Sequence, residues 1–187
     1  MSARRIHRLL ATLAASAIAL VGAPLAASPA SAAGTLATTI CYDVSQAGSF
    51  TSTAHSAASI WNNYTNNINM SNCGTNLRIY QIYGGGSYAV RTSLGNGRVY
   101  IDTYQAQQYS PLRIMTHEIG HILGLPDNYN GQCSLLMSGG SAGTSCTNPY
   151  PAATEAARVD QLFGGLTRTA TPSGVFQGSW PAPVPVS

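Results

Sequence analysis

The stretch His117-Glu118-Ile119-Gly120-His121-Ile122-Leu123-Gly124-Leu125-Pro126-Asp127 decides how this chain is read. Upstream of it, Ser110-Pro111 is a helix start: a capping hydroxyl, then proline at the first helical position. The pattern predicts a helix from there to about Gly124, where glycine permits a left-handed turn and Pro126 blocks continuation. On such a helix His117 and His121 lie one turn apart and point the same way. Two imidazoles so placed can grip one zinc ion, and Glu118 beside the first can reach a water at the metal. Leu112, Met115, Ile119 and Ile122 recur at steps of three and four on the other side, because residues two apart are about 200° apart around the axis. One face is therefore expected in the core and the other in a cleft.

A zinc site of this kind needs a third protein ligand. Histidine is nearly exhausted: His7 lies in the N-terminal segment, and His55, set among Ser and Ala, reads as a solvated surface residue. Asp127 is the better ligand, since the turn at Gly124 lets the chain swing back to the metal three residues later. A rival arrangement takes Glu155 as the third ligand, but Gly124 and Asp127 argue against it.

Working outward, Leu36–Val44 alternates as a strand, and Phe50–Tyr64 carries Ala54, Ala57, Ala58, Trp61 and Tyr64 at helical spacing. The Asn-rich residues 62–72 end that helix. Leu77–Tyr83 is a second strand, residues 87–97 can hold a short one, and Gly97–Tyr104 alternates cleanly. Residues 127–150 read as loop and Thr154–Phe163 as a last helix. Residues 166–187 hold four prolines and no apolar period, and read as a mobile tail.

Composition excludes several classes. The net charge of +3 comes from Arg4, Arg5 and Arg8; from residue 34 onward six Arg balance six acids, and there is no Lys. No basic stripe suits a nucleic acid. Residues 1–32 read as a cleaved export signal: a positive start, an apolar stretch from about Leu9 to Leu25, and the small-residue site Ala30-Ser31-Ala32. A secreted, extracellular monomer acting on peptide or protein, with no membrane attachment after signal removal, is expected. The expected division is 1–32 signal, 33–165 domain and 166–187 tail. The four cysteines of an exported chain point to disulfides. Of three possible pairings we favour Cys133–Cys146 and Cys41–Cys73, each closing a loop in its own neighbourhood.

The spacing His-Glu-x-x-His-x-x-Gly-x-x-Asp resembles the metzincin zinc proteases. The closing aspartate, where most of that clan has histidine, resembles the snapalysin family of small secreted neutral proteases. Leu125-Pro126-Asp127-Asn128-Tyr129 and Cys133-Ser134-Leu135-Leu136-Met137-Ser138-Gly139-Gly140 strengthen the likeness, which covers roughly residues 36–164. It implies an α/β (α+β) metzincin-like domain: a mixed, mostly parallel sheet with an antiparallel edge strand, expected at 97–104, an active-site helix and a C-terminal helix. It also implies a zinc-dependent endopeptidase favouring aromatic residues just after the cut, with Glu118 as general base. Met137 becomes the methionine of the turn beneath the metal, and Cys133–Cys146 the disulfide around that turn. A calcium site would need an acid just before the active helix. That region reads Tyr109-Ser110-Pro111-Leu112, so calcium is not expected unless Asp102 substitutes. Tyr129, two residues past Asp127, could donate to an oxyanion or line the pocket after the scissile bond; a packed loop tyrosine is the equal alternative. The alternative function is a catalytically inactive secreted zinc-binding protein of the same fold.

Overall fold

A computed structural model describes residues 36–165, 172–177 and 180. The export segment read over 1–32 lies outside the described residues. Twelve elements follow in order: β1 (Thr38–Gln46), a 3-10 turn (Gly48–Phe50), α1 (Thr51–Tyr64), β2 (Ile68–Ser71), β3 (Leu77–Ile82), β4 (Tyr88–Ser93), β5 (Asn96–Asp102), α2 (Thr103–Ala106), α3 (Pro111–Ile122), a 3-10 segment (Leu136–Ala142), α4 (Ala153–Phe163) and β6 (Gly174–Gln177). The sheet order is β2-β1-β3-β5-β4-β6. β2, β1, β3 and β5 run parallel; β4 is antiparallel to β5, and β6 antiparallel to β4. The mixed, mostly parallel α/β sheet expected from the sequence is thus present.

Alternation along β5 decides which face is covered. Val99 and Ile101 are fully buried under α3, with Leu77 and Ile79 of β3 beside them. On the opposite face Tyr80, Tyr100 and Tyr88 stack across β3, β5 and β4, with ring centroids 5.0 and 4.4 Å apart. Ile114, Met115, Ile119 and Ile122 put the apolar side of α3 into the core. The Trp61 indole of α1 donates to the Thr116 carbonyl of α3 at 3.0 Å, joining the two helices where both are buried. The bridges Cys41–Cys73 and Cys133–Cys146 are formed.

Four readings need correction. β5 is not the antiparallel edge: β3 and β4 flank it, and β4 is the antiparallel strand beyond it. Alternation reports which face is buried, not which neighbours a strand has. Thr103-Tyr104 does not extend β5, because Asp102 caps a short helix there by accepting from the Tyr104 N–H. Ile68–Ser71 is a strand rather than a helix terminus; Ile68 and Met70 alternate inward within an Asn-rich run that hid them. Within the segment read as a tail, Gly174–Gln177 forms β6 and Trp180 is only 4% exposed; residues 166–171, 178–179 and 181–187 lie outside the described residues. A four-residue strand has too few positions for a period to be visible in sequence.

Candidate metal centre and cleft

The helix cap sets the site. Ser110 Oγ accepts from the Arg113 N–H with Pro111 at the first helical position. At the other end Gly124, with φ 103°, takes the left-handed turn, and the Leu125 N–H returns to the Gly120 carbonyl at 3.0 Å. That turn aims the Leu125 carbonyl at His121 Nδ1, 2.9 Å away. The Leu136 carbonyl meets His117 Nδ1 at 3.0 Å. Each Nδ1 therefore carries the proton that it donates, and each Nε2 presents a lone pair.

Those two lone pairs face each other, with Nε2 atoms 3.1 Å apart. Asp127 Oδ1 lies 3.3 Å from both, and is itself buried without a hydrogen-bond donor. Three acceptors converging on one point repel unless a cation stands among them. The donor set, two imidazoles and one carboxylate, is that of a transition-metal site with positions left open. The residues present therefore fit a divalent metal. Among the described residues His117, Glu118 and His121 also offer ligand atoms within 4.8 Å of one another. Asp127 is the better placed third donor, because its Oδ1 lies 3.3 Å from both Nε2 atoms, whereas Glu118 Oε1 accepts from the Trp180 indole at 3.1 Å.

The charges behave accordingly. Burial pushes the Glu118 carboxyl above the usual carboxylate range, against the pull of both imidazoles and the Trp180 N–H. Burial alone would raise Asp127 too, but His117 and His121, once protonated, would donate to it and add their charge, which outweighs burial and holds the carboxyl well below its ordinary value. Burial disfavours a charged His117, yet Asp127 and Glu118 outweigh that and raise it. A metal ion answers the same negative charge without a proton.

Met137 is buried against α3 at Gly120, between the two histidines in sequence: an added Cβ there would lie 2.8 Å from the Met137 sulfur. Glu155 is committed elsewhere: its carboxylate accepts from the N–H groups of Leu136, Met137 and Ala152 at 2.7–3.0 Å. It holds the peptide whose carbonyl orients His117. Arg113, fully buried, donates from the other side to the carbonyls of Leu135 and Asn148 and to Ser138 Oγ. Sequence reasoning missed both supports. An acid in the first turn of α4 was the available sign for Glu155, since such a residue reaches back to the N-cap amide. Nothing local marks Arg113.

The remaining candidates are accounted for. Tyr129 is 46% exposed at the cleft, and its hydroxyl donates to the Gln177 carbonyl at 3.3 Å. His55 is only partly exposed and bonded to the Tyr42 hydroxyl at 2.7 Å, so it is neither a ligand nor simply solvated. Asp102 is buried and accepts from the N–H groups of Gly84, Gly86 and Tyr104, which occupies its oxygens as a loop anchor.

A model of the Streptomyces extracellular neutral proteinase (M7) family matches residues 37–165. The extracellular small neutral protease of Streptomyces lividans is 45% identical over 141 residues, which are 74% of this chain and 61% of that protein. The protein of the same name from Streptomyces coelicolor is 45% identical across 65% of its length. That from Streptomyces caespitosus is 46% identical over 128 residues, 67% of this chain and 96% of the relative. The chain thus spans less than two thirds of the first two relatives.

Proposed function

The chain belongs to the Streptomyces extracellular neutral proteinase (M7) family, and from that premise we propose that it is a secreted zinc-dependent endopeptidase. The observation that carries the reading is the convergence of His117 Nε2, His121 Nε2 and Asp127 Oδ1, with both Nδ1 atoms tied to backbone carbonyls. These three residues would hold the zinc. When bound, zinc supplies a Lewis acid that acidifies water and polarises a carbonyl.

The chain's own groups do the rest. Glu118 Oε2 is buried with no donor, and burial raises the carboxyl, so it is poised to take a proton from the attacking water. The same oxygen can hand that proton to the leaving amine. Tyr129 reaches a backbone carbonyl with its hydroxyl, which supports a role in steadying the oxygen of the scissile bond. An extended peptide would align along the outer edge of β4, antiparallel, by main-chain hydrogen bonds. The recess formed with Tyr109 and His117 takes the Trp180 ring, which supports a preference for aromatic residues beside the cut.

The test pairs elemental analysis with turnover of an internally quenched peptide. One zinc per chain and hydrolysis abolished by chelation are expected, with Asp127→Ala losing both metal and turnover. Zinc without hydrolysis, once the cleft is open, would instead mark an inactive zinc-binding protein. Asp127→Ala retaining its zinc would sink the ligand assignment.

A further inference from the structure

We infer that the segment carrying Gly174–Gln177 and Trp180 is the resident occupant of this chain's own active-site groove, seated as a substrate-like strand that keeps the protease latent. The inference rests on the endopeptidase reading above. A site that cuts peptides must be reachable by them, yet His117, Glu118 and His121 are each 0% exposed. What covers them includes this segment.

Its backbone takes the place an extended peptide would need. β6 pairs antiparallel with β4 over Tyr88↔Gln177, Ala89↔Phe176, Val90↔Val175 and Arg91↔Gly174. Main-chain pairing on a strand edge is the general way such grooves take peptides. The segment's side chains then match the site group by group. The Phe176 ring stacks on His121, with centroids 4.8 Å apart and planes 16° from parallel, and the Arg91 guanidinium lies 4.4 Å from its centroid. The Trp180 ring stands edge-on to His117 at 5.4 Å. Its indole N–H, which can only donate, is spent on Glu118, the proposed base. The carbonyls of Pro172, Gln177 and Trp180 accept from Arg91, Tyr129 and Gln105.

A strand that merely completed the fold would bury its own side chains. β6 does not: Val175 is 64% exposed and Phe176 only half-buried, while Trp180, three residues beyond the strand, is buried beside Tyr109. Phe176 and Trp180 touch the metal-site residues and Arg91, and both also pack against the core, Trp180 edge-on to Tyr109. Tethering makes weak contacts sufficient, because a linked segment acts at an effective concentration of millimolar order. With a free-peptide Kd of about 0.1 mM, the groove would then be closed about ten times as often as open.

The experiment uses the full chain and the double variant Phe176→Ala/Trp180→Ala. Three quantities are measured: kcat/KM on a quenched peptide, hydrogen exchange of the Tyr88–Arg91 amides, and inhibition of the variant by a synthetic peptide of residues 172–187. The expected result is a kcat/KM about tenfold higher in the variant, faster exchange on β4 but not on β3, and competitive inhibition by the added peptide. Unchanged exchange and unchanged kcat/KM would overturn the proposal. Faster β4 exchange with equal kcat/KM would overturn latency. If neither protein hydrolysed peptide while β4 exchange still responded, the protease reading would fail and the groove's occupant would stand.

Discussion

Glu118 and Asp127 are both carboxylates within reach of one metal, and their surroundings give them different work. Asp127 Oδ1 faces two imidazole lone pairs, the arrangement a metal ligand would take; Glu118 Oε2 faces no donor, which leaves it free to accept a proton. Glu118→Gln keeps shape and volume but cannot take the proton. It should retain full zinc content while peptide turnover falls by about 10²–10⁴-fold, the usual worth of general acid–base assistance. Zinc loss in that variant would make Glu118 a ligand. Asp127→Ala should weaken zinc by more than the roughly 10–100-fold typical of outer-shell partners, because it removes a direct contact. Competition with a chromogenic chelator reads this directly.

At the scale of the elements, α3 and the segment after it act through close packing. Gly120 faces Met137, and a methyl group there would meet the sulfur at 2.8 Å and Trp61 at 3.2 Å. Two effects compete in Gly120→Ala. Helix propensity favours alanine by about 1 kcal/mol, while overpacking a buried site costs about 1–3 kcal/mol. Trp61 is fully buried and bonded to α3, so it cannot yield easily. Net destabilisation and a lower melting temperature are expected. A melting temperature raised by the substitution would mean that Met137 does not pack against this turn of the helix.

Across the whole molecule, the two disulfides should separate stability from metal affinity. Cys133–Cys146 closes a loop of sequence separation 13 that contains Leu136 and Met137, whereas Cys41–Cys73, with separation 32, ties β1 to the loop before β3. Chain entropy makes each worth about 3–4 kcal/mol, the longer loop by about 0.8 kcal/mol more. Replacing Cys41 and Cys73 by Ser should therefore cost at least as much in thermal unfolding, with zinc affinity intact. Replacing Cys133 and Cys146 should loosen the carbonyl that orients His117 and lower zinc affinity as well. Equal zinc affinity in both double variants would detach the lower loop from the site.

What the sequence by itself determined is local. A helix start at Ser110-Pro111, one-turn spacing of His117 and His121, and the stop at Gly124 depend on neighbours within a few residues, where backbone sterics and hydrogen-bond period decide. The main strands and helices were legible for the same reason, and the cysteine pairs followed from neighbourhood. Only the tertiary structure decided the rest. Which strand lies at the edge depends on partners far along the chain, so β5 turned out interior, with β4 and then β6 beyond it. Glu155 and Arg113 support the site from 18 to 35 residues away from the groups they bond. The cleft's occupant, Phe176 on His121 and Trp180 on Glu118, is drawn from 55 and 62 residues downstream. No local period reports a contact of that range, because only the folded backbone brings its two sides together.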